Sequence, residues 1–232
     1  MSNTRSKIER MIASNDLAGL LRKTGEIHGH HCSYSSLGVK AAHRAMKELG
    51  IVESTGMEHI LTIVETNNCF SDGVQVVTGC TFGNNSLIYK DYGKTALTLL
   101  RRDGTGVRIA VKPEAGEILS KLTPKLSELR RKVMEKRTAT QEEEREFVEL
   151  SKKNAFDILS LPDEELFTVN KVRITPPASY SRILASVQCA ECGERVMETR
   201  AVTKEGRTLC IPCAKAEYYQ LDWSGISAKK NV

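Results

Sequence analysis

Two pairs of closely spaced cysteines near the carboxyl end constrain this 232-residue chain more than any other feature. Cys189 and Cys192 form the first CxxC pair, and Cys210 and Cys213 form the second after seventeen intervening residues. Two intervening residues let both thiolates of a pair bind one ion at about 2.3 Å through a tight turn. Four thiolate ligands leave no open coordination position, so the pattern predicts a structural zinc site that folds a small module at 187–232.

A redox function for either CxxC pair is the alternative, although one pair rather than two is typical of redox proteins. The stretch from Cys189 to Glu217 contains five basic and five acidic residues, a balance that does not predict a phosphate-binding surface. The charge balance therefore favours a module that contacts a protein or stabilises a domain over one that binds nucleic acid. A turn at Lys204–Arg207 predicts a hairpin between the cysteine pairs, and the segment Ala214–Tyr219 predicts a helix after the last ligand.

Composition favours a cytoplasmic globular protein. Apolar residues make up 40% of the chain, enough for a packed core, and the net charge of +5 is too mild to require a nucleic-acid partner. We find no export signal and no apolar run long enough to span a membrane. In a reducing compartment, seven cysteines indicate metal or redox chemistry rather than disulfides.

The residues at 1–112 predict an α+β domain, a mixed core with antiparallel strands and helices. Small and apolar side chains recur at helical spacing from about Ser36 to Leu49. The β-branched run His59–Thr66 predicts a buried strand, and the turn Asp103–Gly106 predicts a hairpin. Further predicted elements are a helix capped by Asp72 that runs to Val77, and strands at 87–90, 94–102, 107–111 and 167–174.

A charged helical arm and connector at 113–186 follows this core. An apolar stripe from Ile118 to Met134 predicts one helix, and Thr140 with Glu143 forms a capping box for a second. Two antiparallel helices fit this pattern. They form either a dimerisation arm or a lid on the sheet of the same protomer, and the sequence favours neither.

A second cluster of metal-binding residue types lies in the predicted core. The HGHHC segment places His28, His30 and Cys32 at alternate positions, which would project to one side if the segment were extended. Cys69 and Cys80 each lie beside a predicted break in regular structure. Thiolates with imidazoles suit zinc or another late transition metal. The cluster therefore predicts a second metal site, where fewer than four protein ligands would leave a position for water or substrate.

The same residue types allow other interpretations. They are also typical of buried thiols with satisfied histidines, and of a nucleophilic cysteine with a histidine partner. Spacing alone does not select the ligands, because Cys69 and Cys80 are distant in sequence. The run Asp91–Lys94 predicts a turn, from which Lys94 could face an anionic ligand.

Taken together, these segments resemble the FmdE family, which takes its name from the FmdE component of formylmethanofuran dehydrogenase. The family pattern is similar to HGHxC before a small-residue helix, a cysteine shortly before an Asp-led helix, TGCTxGxxxL and DYGK. The resemblance covers about Gly25 to Lys112. Many members have Pro-Gly after the first motif cysteine, where this chain has Ser33-Tyr34. The motif positions are His28, His30, Cys32, Cys69, Asp72, Thr78, Gly79, Cys80, Gly83, Asp91, Gly93 and Lys94.

The resemblance implies a metal near the histidine–cysteine cluster, with Asp72 and Lys94 binding or orienting a ligand. It also implies intertwined homodimers with a C-terminal zinc finger. The family is associated with a molybdenum or tungsten enzyme that reduces carbon dioxide onto methanofuran. We find no fingerprint for a pterin cofactor or an iron–sulfur cluster, so the resemblance implies an accessory protein, with that enzyme complex as a partner.

Three functional hypotheses follow. The first is a homodimeric metal-binding accessory protein with a structural zinc and a second transition metal, zinc being favoured. The second is a metal-responsive regulator that binds nucleic acid or protein through the zinc finger. The third is an enzyme that uses the open position of the second metal.

Overall fold

The computed structural model describes residues 3–53, 59–175 and 183–230 and divides into two compact units, Met1–Ser179 and Tyr180–Val232. The predicted connector at Pro176-Pro177 lies outside the described residues. In the described ranges, no helix combines the length and the apolar character needed to cross a bilayer.

The first unit contains a five-stranded mixed sheet and its helices. The helices are α1 (Ser6–Ala13), α2 (Leu17–His28), α3 (Ser33–Glu48), α4 (Phe70–Thr78), α5 (Ala115–Leu122), α6 (Pro124–Arg130) with a π-helical continuation (Arg131–Lys136), α7 (Gln141–Ile158) and α8 (Asp163–Leu166). The strands are β1 (Ile60–Val64), β2 (Leu87–Tyr89), β3 (Ala96–Arg101), β4 (Thr105–Val111) and β5 (Phe167–Arg173). The strand order is β2-β1-β3-β4-β5. β1 and β2 are parallel, and the other neighbours are antiparallel, which confirms the predicted mixed α+β core.

The turn between β3 and β4 confirms the predicted hairpin. The Asp103 side chain accepts hydrogen bonds from the backbone N–H and the hydroxyl of Thr105, at 2.9 and 2.6 Å. Gly104 has a φ of +82°, and a Cβ there would lie 2.1 Å from the carbonyl oxygen of Ile174. Glycine is therefore required both by the turn and by the chain that follows β5.

Helices α3 and α4 cross with their backbones almost in contact. A Cβ added to Gly38 would lie 2.1 Å from the carbonyl oxygen of Phe70, and one added to Gly73 would lie 2.6 Å from that of Ser35. Only glycine leaves room for such an approach. Because these four residues belong to the first two turns of their helices, the crossing places the two amino-terminal ends side by side. The fully buried hydrophobic residues of α3 are Leu37, Val39, Ala41, Ala42, Ala45 and Met46.

Helix α7 begins with the predicted capping box. The Thr140 hydroxyl accepts from the Glu143 backbone N–H, and the Glu143 carboxylate accepts from that of Thr140. Towards its carboxyl end the helix packs on α3 of the same chain, where the Ser36 hydroxyl donates to the carbonyl of Ala155 at 2.7 Å. Ile158 is fully buried beside it. The second arm helix therefore covers α3 of its own chain.

The second unit is built from three short hairpins and one helical turn. Its elements are β6 (Ser186–Gln188), β7 (Arg195–Met197), a 3₁₀ turn (Glu198–Arg200), β8 (Val202–Lys204), β9 (Arg207–Leu209), α9 (Ile211–Ala214), β10 (Glu217–Asp222) and β11 (Gly225–Lys230). The predicted hairpin is confirmed, because Glu205 and Gly206 form its turn with positive φ values.

The helix predicted from Ala214 to Tyr219 is wrong. Helix α9 ends at Ala214, and Lys215 has a φ of +51° that turns the chain away. The following residues form β10, paired antiparallel with β11. Two adjacent tyrosines, Tyr218 and Tyr219, favour a strand, and that local preference prevails over the expected helix.

Candidate functional site

The four cysteines of the second unit converge on one point, as their spacing predicts. Their sulfur atoms all lie within 4.8 Å of one another. Cys189 follows β6, and Gly193, with a φ of +75°, closes the turn after Cys192. Cys210 precedes α9, and Cys213 lies within that helix. A hairpin and a helical turn thus present two thiols each, which is the arrangement of a closed zinc site.

Backbone amides prepare this set for metal binding. The N–H of Cys210 donates to the sulfur of Cys189 at 3.3 Å. Hydrogen bonds from the backbone of Cys192 and of Cys210 lower the pKa of Cys189 to about 6, so this sulfur is a thiolate at neutral pH. Hydrogen bonding to Cys210 raises the pKa of Cys213 to about 12. Zinc binding therefore displaces a proton from Cys213.

The core unit brings together a second set of ligand atoms. One atom from each of His28, His30, Cys32 and Cys69 lies within 4.8 Å of the other three. His30 is exposed, and the other three residues are partly buried. The set joins two imidazoles and two thiols drawn from two separate parts of the chain, the segment 28–32 and Cys69.

The histidines reach this set from a helix end and a turn rather than from an extended segment. His28 is the last residue of α2, and Gly29 ends that helix in the left-handed conformation, with a φ of +83°. The reversal at Gly29 brings His30 back over His28, so that the two rings lie 4.2 Å apart between centroids. The two imidazoles therefore approach each other through a left-handed turn.

Helix termini position the two cysteines. Cys32 is the residue before α3, and Cys69 is the residue before α4. The close glycine crossing of α3 and α4 therefore places the two sulfurs together. Ser35 supports Cys32, because its hydroxyl accepts from the Cys32 backbone N–H at 3.1 Å. The spacing Cys32-x-x-Ser35 has the form of a capping box, a signal by which the sequence could have revealed this support.

The two core thiols have very different proton affinities. A hydrogen bond from the Cys69 thiol, followed by hydrogen bonds from Ser35, lowers the pKa of Cys32 to about 4 despite its burial. The same interaction, together with burial, raises the pKa of Cys69. The two thiols therefore lose their protons in separate steps.

His28 has the surroundings of a metal-binding imidazole. Its Nδ1 lies 2.7 Å from a carboxylate oxygen of Asp72, and Gln75 donates to the other oxygen of that carboxylate at 3.1 Å. Its Nε2 is buried and has no hydrogen-bond partner in the described part of the chain. The predicted cap at Asp72 is wrong, because α4 already begins at Phe70. In the first turn of the helix, Asp72 instead faces His28.

Cys80 and His31 lie outside the four-residue set. Cys80 is fully buried after the end of α4, and its burial raises the pKa of its thiol. The ring of His31 packs against Gly25, where a Cβ would lie 2.6 Å from Nε2. Burial is the largest cause of its lowered pKa. Lys94 also lies apart, on the wall of a cavity of about 340 Å³ beside α3.

Comparison with known proteins identifies the two parts of the chain. Residues 27–168 match the family described as "FmdE, Molybdenum formylmethanofuran dehydrogenase operon". Residues 180–219 match the "Prokaryotic dksA/traR C4-type zinc finger". The first match contains the histidine–cysteine cluster of the core, and the second contains the four cysteines of the finger.

Two individual proteins are similar to the chain. A "Probable S-adenosyl-L-methionine-binding protein" of Archaeoglobus fulgidus is 42% identical over 215 residues, which are 90% of this chain and 56% of that protein. The chain thus spans little more than half the length of this relative. The crystal structure of a "tungsten formylmethanofuran dehydrogenase subunit e (fmde)-like protein" from Syntrophus aciditrophicus has a TM-score of 0.55 and 22% identity, covering 85% of this chain and 91% of that one. At this identity, the likeness shows a shared fold.

Proposed function

The chain belongs to the FmdE family, and we propose that it is a metal-binding accessory protein with a transition metal, zinc being favoured, at its histidine–cysteine cluster. This metal would be additional to the structural zinc of the finger. The observation that carries the proposal is that His28, whose buried Nε2 has no partner in the described chain, contributes a ring nitrogen to a cluster with ligand atoms of three other residues.

The contact between His28 and Asp72 leaves Nε2 as the nitrogen that would bind the metal. A carboxylate 2.7 Å from Nδ1 holds the proton on that nitrogen, so Nε2 carries the lone pair. Metal-binding histidines commonly donate their second N–H to such a carboxylate, which fixes the tautomer and increases the basicity of the ligand. A buried nitrogen lone pair without a donor is otherwise unfavourable.

The donor set favours zinc over hard cations. Two thiolates and two imidazoles form a common zinc site, with metal–ligand distances of about 2.0–2.3 Å. Tetrahedral ligands at those distances are separated by about 3.3–3.8 Å. The observed ligand atoms lie within 4.8 Å of one another, so they would need to approach by only about 1 Å. Bound zinc would act as a Lewis acid toward a ligand that replaced one of its donors.

The exposure of His30 favours an enzymatic role as a second candidate. It is the exposed member of the four, and it follows a left-handed glycine on a short turn. Replacement of its imidazole by water or a small molecule would open one coordination position, as in catalytic zinc sites. Metal-dependent turnover that persists in His30→Ala and is abolished in Cys32→Ser would support this role. If no such turnover is found, the metal site would have a binding function only.

The names of the family and of the solved structure suggest a molybdenum or tungsten enzyme as the partner, and we propose a homodimer as the assembled form. Light scattering of the metal-loaded chain tests the dimer. The name of the relative also makes S-adenosyl-L-methionine a ligand to test, by equilibrium dialysis. Binding would support S-adenosyl-L-methionine as a ligand of this chain, and its absence would count against it.

Elemental analysis of purified protein tests the metal site. We expect two metal equivalents per chain in the wild type and one in Cys32→Ser, which keeps a side chain able to accept the capping hydrogen bond. Cys80→Ala is the matched control, because Cys80 is a buried thiol of the same unit outside the four-residue set. Equal metal content in the wild type and Cys32→Ser would refute the proposal.

A further inference from the structure

We propose that the cavity between α3, α5 and the adjoining ends of β3 and β4 binds the oxyanion of a small carboxylate- or phosphate-bearing molecule. This cationic cavity has a volume of about 340 Å³, within the range of small-molecule sites. Three cations line it, Lys94, Arg108 and Lys112, and none of its lining residues in the described ranges is acidic. These residues are separate from the metal ligands, so the inference does not rest on the metal site.

Lys94 supplies an uncompensated charge. Its backbone N–H donates to the carbonyl of Glu65 at 2.9 Å, which holds the segment just before β3. Its ammonium has no hydrogen-bond or ion-pair partner among the residues that the structure describes. The N–H of Val111 donates to the carbonyl of Thr95, so the next opposed positions in this register are Lys94 and Lys112. Like charges on opposed positions are destabilising, and an anion bound between them would remove the repulsion.

Arg108 is already oriented for binding. Its guanidinium makes two hydrogen bonds of 2.7 Å to the carboxylate of Glu65, a residue that is only 5% exposed. A guanidinium has five N–H donors, so the others remain for a ligand. This pair is neutral, and the positive charge of the cavity therefore comes from its lysines. Lys112 donates to the carbonyl of Glu164 at 2.6 Å, which leaves further ammonium hydrogens free.

The rest of the lining suits the body of a small molecule. Leu37 and Leu119 supply apolar surface, and Tyr34 adds an aromatic ring whose hydroxyl has no partner among the described residues. Apolar walls with a few convergent polar groups are typical of metabolite sites. A nucleic-acid strand would instead need an open basic groove. The cavity therefore favours a small anion over a polymer.

Calorimetric titration of the full chain tests the inference at low ionic strength. The probes are inorganic phosphate and succinate, which separate the two sources of an oxyanion. We expect Lys94→Gln to weaken binding about tenfold or more, because it removes a charge-assisted hydrogen bond. Lys94→Arg should retain most of the affinity. The matched control is Lys121→Gln, because Lys121 lies exposed on α5 and pairs with Glu117 on the surface.

Loss of anion binding in Lys94→Gln, but not in Lys121→Gln, supports the inference. The probe that binds with the higher affinity then indicates whether the anion is a phosphate or a carboxylate. Metal content should be unchanged in Lys94→Gln, which separates this site from the metal cluster. Three results would overturn the inference. The first is that neither probe binds at about 10 mM. The second is that Lys121→Gln loses as much affinity as Lys94→Gln. The third is that an oligonucleotide binds in a Lys94-dependent way while neither small anion binds.

Discussion

Replacing Gly38 with alanine should destabilise the core unit, because the added methyl group has no space between α3 and α4. Its Cβ would lie 2.1 Å from the carbonyl oxygen of Phe70, whereas contacts below 3.0 Å essentially never occur. The helices must therefore separate by about 0.9 Å at this point. The obstacle is backbone, which cannot rotate aside as a flexible side chain can.

The magnitude follows from two opposing effects. Forcing an extra carbon into a packed core costs about 1–3 kcal/mol, and a backbone obstacle calls for the upper end of that range. Alanine in place of glycine favours a helix by about 1 kcal/mol. We therefore expect Gly38→Ala to lower the free energy of unfolding of the core by about 2 kcal/mol.

A matched glycine on another helix provides the control. Gly116 lies near the start of α5, and a Cβ there would have no heavy atom of the described chain within 4 Å. Gly116→Ala should therefore stabilise the core slightly, by about 0.4–1 kcal/mol, through lower entropy of the unfolded chain. The two substitutions make the same chemical change, and the structure predicts opposite signs for them.

Urea denaturation followed by far-ultraviolet circular dichroism would measure both effects, since the long helices belong to the core unit. The single tryptophan, Trp223, lies in the zinc-finger unit and would report on the wrong transition. Gly38→Ala should also lose core metal, because the crossing positions Cys32 and Cys69. A Gly38→Ala protein as stable as the wild type would refute the reasoning.

Three further predictions concern metal binding and protonation. Asp72→Ala should weaken metal binding at the core cluster about 10–100-fold, because His28 loses its orienting carboxylate. Competition with a chromophoric chelator measures this affinity, and Gln75→Ala should have a much smaller effect. Equal metal affinities of Asp72→Ala and the wild type would contradict the orienting role of Asp72. Burial lowers the pKa of His43 below its ordinary 6.5, so the unfolded state binds more protons and core stability falls as the pH drops below that value. His43→Gln should reduce this decline, as measured by urea titrations at several pH values. An unchanged dependence of stability on pH in this variant would contradict the prediction. A strong chelator should unfold the finger while the helical signal of the core persists, as followed by two-dimensional NMR, and loss of both sets of signals together would show that the units are not independent.

Local signals predicted the local parts of this molecule. The hairpin at Asp103–Gly106 and the capping box of Thr140 with Glu143 depend on neighbours within four residues, and both are present. The cysteines of the finger are similar, because a CxxC pair already fixes half of its geometry. In each case the residues that make the structure are adjacent in the sequence.

Long-range packing decided what the sequence did not reveal. Cys69 and Cys80 look equivalent in sequence, but Cys69 stands at the helix end that meets α3, whereas Cys80 follows the opposite end of α4. This difference between the two cysteines depends on the helix contacts of Gly38 and Gly73. A hydrophobic repeat in the sequence does not reveal such contacts. The contact of Asp72 with His28 spans 44 positions and needs the same packing.

The zinc finger and the proposed metal site of the core differ in how their donors are held before any ion arrives. In the core, α2, α3 and α4 hold His28, Cys32 and Cys69 within a buried framework that includes the main hydrophobic cluster. The finger has a cluster of only four buried residues in its described part, two of which are its own ligands, Cys189 and Cys210. An ion entering the finger must therefore also drive its folding, whereas an ion entering the core would not. Under metal scarcity, the core would retain its shape and its capacity to reload, and the finger would be the first part to unfold.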